Sequence, residues 1–576
     1  MSAIHTQTIY PIREDIVRKQ LRARRLAVFL IIILGGGLEV CYLALYPWLA
    51  GQVPKDPLRQ SWEAFLPWLV LIYNKLDWRP YITAVAWPPI LHGYLFPLLI
   101  LLGITLLFIW LTVLAGNRAG RLIVIRSAFY LRPVFGIILL LGAVFAFTMV
   151  LSPVHLNEMS RMMLSSDLYG RMVESYHLNP YLAPMTAVAH DPVQIILAQL
   201  NDKQASSTSL VGPLWMDISI LISLVSHSDL AQMVLGWRIL AFCAHLLNIF
   251  LLWGLLSTQK PLYRIASTVL YAWNPLVLIL GVSLVHSEIL LLSFVLLSLL
   301  SLQRDATVLG WVFALLAALV SPVCLILLPL LLLYAFRRAC LQGCGLLFFW
   351  SLGMMFVTAL IVFLAYIPYW QGWGVTGILT SLRSVFWQNN SVNSLDAAVL
   401  GLPIQIPARI AWFFQAHIWS AAALTIILCY LFIALWLANS FEMLLQCSSW
   451  VLLLWIALQP EYWPWYLIVP FVLALSSSNR RHGLSAIFLL LGALLCYYFW
   501  QWSHVWPGQG LVIIGIPILL WGWAMFFYSS WQMVLNRQDQ PSSGQDSQPM
   551  EFIDPPWSSH PSWYPRASRT RSRMYR

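Results

Sequence analysis

LAVFLIIILGGGLEVCYLALYPW, residues 26–48, decides the class of fold. The run is apolar over a length that lets a helix cross about 30 Å of hydrocarbon. It follows the basic stretch REDIVRKQLRARR at 13–25, and it is too long for a signal peptide and lacks a small-residue cleavage site. It therefore reads as a retained transmembrane helix with its basic end in the cytoplasm. Similar runs recur along most of the 576 residues, of which 60% are hydrophobic and only 10% charged, with a mean hydropathy of +0.76. Such a chain uses lipid as its solvent. The alternating pattern of a membrane barrel is absent, which leaves an all-α, polytopic helical membrane protein.

Basic loops set the expected topology. The N-terminal basic segment 1–25 lies inside, the helix over 91–115 returns to NRAGRLIVIR at 117–126, and a third helix over 133–150 leads outward. A long first outer loop at 152–212 follows, then an interfacial helix over 212–225 and a crossing over 231–256. The stretch 307–336, broken at Ser321-Pro322, reads as two short helices. A second outer loop spans 368–407, Asn479 to His482 lie inside, and the count reaches about fourteen crossings within a transmembrane unit at 26–530. The tail at 531–576, rich in Ser, Pro, Gln and Arg, is expected to be disordered and cytoplasmic.

The net charge of +11 sits in short runs flanking apolar helices, which is a topology signal and excludes a nucleic-acid partner. The eight cysteines show no metal-ligand spacing. Chemistry is expected in SSDLYGRMVESYHLNPYLAP at 165–184, where Asp167, Tyr169, Arg171 and Glu174 precede the turn Asn179-Pro180-Tyr181. Ionisable groups at a membrane face are costly to desolvate, so they are functional candidates. His286 and Glu288 add a base and a second acid on the same expected face, and Arg171, Arg238, Arg383 and Arg409 add cations for an anion.

These motifs resemble the GT-C superfamily of polytopic glycosyltransferases, in particular its bacterial polyprenyl-phosphate-sugar-dependent, mannosyltransferase-like members. The resemblance runs over about 152–476 and rests on Asp167 and Tyr169 leading to Asn179-Pro180-Tyr181, on VGPLW ending at Trp215, and on Arg238 in GWR. It continues through Trp273 and Asn274 of WNPLVL, through His286-Ser287-Glu288, and through Pro464-Trp465-Tyr466. The family's aspartate at the second of these is Glu288 here, and Ser321 stands where many relatives carry a lysine.

The resemblance implies transfer of a sugar, mannose first, from a polyprenyl-phosphate donor to a glycan or lipid acceptor by a multi-pass enzyme of the plasma membrane. Both termini would be cytoplasmic and the site would face outward. Asp167 would be the general base, with Glu158 or Glu174 in that role if the alignment slips. Arg238 and Arg383 would pair with phosphate, and Trp273, Trp465 and Tyr466 would stack on the sugar. A divalent cation is left open, and no resident cofactor is implied. Each candidate has a structural alternative: Asp167 as a helix-capping acid, Asn179-Pro180-Tyr181 as a turn, His286 as an interfacial histidine bonded to a backbone carbonyl, Arg238 as a headgroup anchor. A lipid or solute transporter or flippase is the competing class, and an inactive scaffold of the same fold is the third. The absence of an evident half-to-half repeat disfavours the transporter.

Overall fold

A computed structural model describes residues 14–49, 56–77, 80, 89–116, 131–200, 208–226, 229–341, 344–386, 391–401, 405–477, 480–502, 505–506 and 508–523. The expected loop at 117–126 and the tail at 531–576 lie outside the described residues. No strand occurs among the described residues, only one isolated parallel bridge between Val392 and Glu461. The all-helical membrane class holds.

The elements used below are α1 (Glu14–Leu49), α2 (Pro89–Leu114), α3 (Leu131–Val150), α4 (Arg161–Glu174), α5 (Pro213–Ser226), α6 (Leu230–Leu255), α7 (Pro261–Ala272), α8 (Glu288–Gln303) and α9 (Thr307–Val320). They continue as α10 (Leu328–Cys340), α11 (Cys344–Tyr366), α12 (Gly374–Phe386), α13 (Ala416–Leu437), α14 (Phe441–Leu458) and α15 (Arg480–Trp502). Eight helices among the described residues are long and apolar enough to cross a membrane, carried by α1, α2, α3, α6, α11, α13, α14 and α15. A ninth arises if α7 and the π-helical turn Val277–Ser283, bent by 51°, form one span.

Among the described residues the count of about fourteen crossings is therefore not met by length. The remaining apolar helices Pro213–Ser226, Glu288–Gln303, Thr307–Val320, Pro464–Ser476 and Leu511–Trp523 hold 10–17 residues each. At 1.5 Å per residue they fall short of the hydrocarbon thickness. One of them, α9, and the following helix α10 flank the break at Ser321-Pro322 as the proline requires, with a short 3-10 turn Pro322–Ile326 between them.

Several motifs of the sequence turn out to hold helices together. The first half of the 165–184 stretch belongs to helix α4, which lies against α5 so closely that a Cβ on Gly170 would come 2.3 Å from the Ser219 carbonyl oxygen. Trp215 donates from Nε1 to Ser166 Oγ at 2.9 Å across the same contact. Gly212 of VGPLW meets the end of α9, accepting no side chain there because a Cβ would lie 2.1 Å from the Leu319 oxygen. WNPLVL marks the break after α7, where Asn274 Oδ1 accepts the Leu276 N–H at 2.9 Å and Trp273 Nε1 donates to the Ile138 carbonyl at 3.1 Å.

Candidate active site

Before α4 the chain is pinned in place by an acid that the sequence reading passed over. Asp56 caps the helix Pro57–Phe65 through the N–H groups of Leu58 and Arg59, and its other oxygen accepts the Leu156 N–H at 2.6 Å. Glu158 follows two residues later, with Arg161 Nη1 3.5 Å from its Oε2. This pair opens one side of a cavity of about 530 Å³. That volume suits a small ligand.

From α4 the cavity takes Arg161, Met162, Ser165 and Tyr169, a stripe spaced three and four residues apart on one helix face. Ser287 and Glu288 come from the start of α8, and Ser321 to Val323 come from the break between α9 and α10. The far wall is aromatic and consists of Trp455 of α14 together with Trp463, Trp465 and Tyr466, with Glu461 beside them. Glu461 Oε1 accepts from Trp463 Nε1 at 2.8 Å. Trp465 lies between two rings, 3.7 Å from His286 and 5.0 Å from Trp463, nearly parallel to both. Both its faces are covered, so any sugar face must pack elsewhere on this wall, on Trp455 or Tyr466.

The structure brings together Tyr169, Glu288, Trp465 and Tyr466 of the expected site residues with Glu158, the alternative acid, and it adds Arg161, Trp455, Glu461 and Trp463. A visible signal existed for two of the additions: Arg161 stands three residues after the acid Glu158, and Glu461 stands just before Pro464-Trp465-Tyr466. The others are not brought to the cavity. Asp167 is 2% exposed and faces away from it, with Oδ1 lacking a hydrogen-bond partner among the described residues. Arg171 is committed to Asp191, with Nε at 2.8 Å and Nη2 at 2.7 Å from Oδ2, and Asp191 in turn caps the helix Pro192–Leu197. Glu174 ends α4, its carboxylate accepting from Ser175 Oγ.

Arg238, expected as a phosphate partner, is fully buried. Its guanidinium donates to the carbonyls of Ser283, Val150 and Ser152 and lies 5.0 Å over the Trp62 ring. Those bonds satisfy carbonyls freed at the end of α3 and at the π-helical turn, so Arg238 acts as a brace. Asn179 donates to the Tyr369 carbonyl at 2.8 Å, and Tyr181 donates to the Val211 carbonyl and stacks on Trp373 at 4.2 Å. Trp215 and Trp273 are buried in helix contacts. His286 is buried behind Trp465, and burial pushes its imidazole down to about 3, which keeps it neutral. Arg383 sits on the exposed side of α12, while its neighbours Ser384 and Val385 line the cavity. Among the described residues no group of three His, Cys, Asp or Glu side chains is arranged to hold a metal ion.

Burial pushes the Asp167 carboxyl up to about 7; Arg171 opposes this and Asp191 adds to it. The folded chain thus keeps a proton that an unfolded aspartate releases near pH 4, about its free value. Stability from this group is full below that pH and lost as pH rises through about 7. Asp167→Asn, which needs no proton, is expected to melt at a higher temperature than the parent at pH 8 and no higher at pH 4. Equal melting shifts at both pH values, measured in detergent, would remove the ionisation argument.

Residues 159–337 match the family described as alpha-(1->6)-mannopyranosyltransferase, N-terminal domain. No curated protein matches the chain. The matched segment runs from α4 through α9 to near the end of α10, beginning one residue after Glu158 and ending before the aromatic wall. That match agrees with the resemblance over those residues: the chain is a polytopic membrane glycosyltransferase whose residues 159–337 are similar to the alpha-(1->6)-mannopyranosyltransferases.

Proposed function

We propose that the chain moves mannose from a polyprenyl-phosphate donor to a glycan or lipid acceptor, inside the cavity bounded by Glu158, Arg161 and the aromatic wall. One observation carries this reading: an acid–arginine pair faces indole and phenol rings across a space of about 530 Å³. Glu158 takes the proton of the acceptor hydroxyl as that oxygen bonds to the mannose anomeric carbon. The bond to the phosphate oxygen breaks with its electron pair, and the polyprenyl phosphate leaves against Arg161. Arg383, directly before the lining residue Ser384, is the second cation for that phosphate. A single displacement of this kind inverts the anomeric centre. In this reading the enzyme is a multi-pass protein of the plasma membrane with cytoplasmic termini, a transmembrane unit at 26–530, and the cavity opening outward.

The test uses purified chain in detergent with labelled polyprenyl-phosphate mannose and, separately, labelled nucleotide mannose. Transfer is expected from the lipid donor alone. Transfer from the nucleotide sugar without lipid carrier would overturn the donor assignment, and transfer from neither would favour the transporter or the inactive scaffold. Arg161→Ala is expected to raise the donor KM about 10- to 100-fold, the loss of one charge-assisted hydrogen bond.

A further inference from the structure

The aromatic wall is held from behind by a residue that never reaches the cavity. Asn393 is 4% exposed and has φ of +57°, a left-handed conformation that asparagine tolerates better than most residues. Its Nδ2 donates to the Tyr462 carbonyl at 3.0 Å. Its Oδ1 accepts from Trp500 Nε1 of α15 at 2.9 Å and from Gln509 Nε2. The preceding residue completes the clasp, since Val392 N–H donates to the Pro460 carbonyl and Tyr462 N–H donates to the Val392 carbonyl, both at 2.9 Å. Trp500 then packs on Trp463 at 4.9 Å, and Trp463 on Trp465. A glycine permits the clasp to close, because a Cβ on Gly510 would lie 2.2 Å from the Ser394 carbonyl oxygen.

We propose that Asn393 is a positioning residue for sugar transfer: it ties three separate parts of the chain to the segment 460–466 and so fixes Glu461, Trp463 and Trp465 at the cavity. The proposal rests on that cavity being the site of transfer. The Asn393 side chain bonds to Tyr462, Trp500 and Gln509, none of which lines the cavity. A misplacement of the wall by about 1 Å would cost on the order of 100-fold in rate.

Asn393→Gly separates the clasp from the backbone, because glycine adopts positive φ without strain while losing all the side-chain bonds. Hydrogen exchange by mass spectrometry on the full chain reads the clasp, and steady-state kinetics read transfer. In Asn393→Gly, exchange is expected to rise together at 391–400 and 459–466, and kcat is expected to fall about 10- to 100-fold with a smaller change in donor KM. Gly510→Ala, which forces the same contact apart from the other side, is expected to give the same pair of changes. Asn393→Asp keeps the acceptor for Trp500 and Gln509 and is expected to recover part of the lost kcat. Raised exchange with unchanged kcat would reduce Asn393 to a structural role, and unchanged exchange would overturn the clasp itself. A wild-type chain that transfers no mannose counts against the function, and the exchange arm still decides the clasp.

Discussion

Glu158→Gln is expected to abolish mannosyl transfer, lowering kcat by about 10²- to 10⁴-fold, the range a general base contributes. The amide keeps the size of the side chain and its reach to Arg161 but cannot take a proton from the acceptor hydroxyl. Folding should be retained, because glutamine keeps the shape and hydrogen-bonding reach of the side chain at a cavity wall and an ion pair at 3.5 Å contributes little to stability. Asp167→Asn is the contrasting variant. It is expected to keep transfer at pH 7, since its carboxyl does not line the cavity. Measured side by side, the two variants assign the base: a dead Asp167→Asn beside an active Glu158→Gln would return the role to Asp167 and remove the Glu158–Arg161 pair from the mechanism.

Gly170→Ala is expected to be among the most damaging single-methyl changes in the chain. The atoms in the way belong to the Ser219 backbone, 2.3 Å from the new Cβ, so α4 and α5 must part for it to fit. Overpacking of this kind costs about 1–3 kcal/mol or more. Because α4 also carries Arg161 and Tyr169 to the cavity, transfer should fall along with the melting temperature. Gly103→Ala supplies the control, having nothing within 4 Å of its Cβ in the interior of α2. There the change is expected to be neutral or to stabilise by about 0.5–1 kcal/mol, since alanine is the better helix former. Thermal unfolding of the two in the same detergent checks the contrast, and equal effects would contradict the close approach of α4 to α5.

Much of the fold was legible because lipid allows few solutions. Apolar runs such as 26–48 leave the backbone no choice but helix, and Ser321-Pro322 could not continue one. The number of crossings was less legible, because α5, α8 and α9 are as apolar as true spans yet too short, and composition alone does not separate the two.

The site was legible as a neighbourhood and not as a set of atoms. Residues 158–169 and 461–466 both carry signals of chemistry, but which side chains meet depends on how α4 is rotated. Tyr169 lines the cavity, and Asp167, two residues earlier, points about 200° around the helix at 100° per residue. A one-dimensional pattern of acids gives no rotation, and the mutual contact of α4 and α5 through Gly170 supplies it. The place of Arg238 was not legible for a related reason. An arginine beside a membrane-spanning run signals a bound anion or a headgroup, whereas here the ends of α3 and the π-helical turn present unpaired carbonyls that only the fold reveals.

Where the lipid-linked sugar binds is tested most directly by a photoreactive polyprenyl-phosphate mannose, irradiated with the full chain in detergent and mapped by mass spectrometry. Labelling is expected on peptides covering 158–169 and 455–466, and to disappear when unlabelled donor is added in excess. Competed labelling confined to the Asp167, Arg171 and Asp191 cluster, or to any surface away from the aromatic wall, would contradict a transfer site in this cavity.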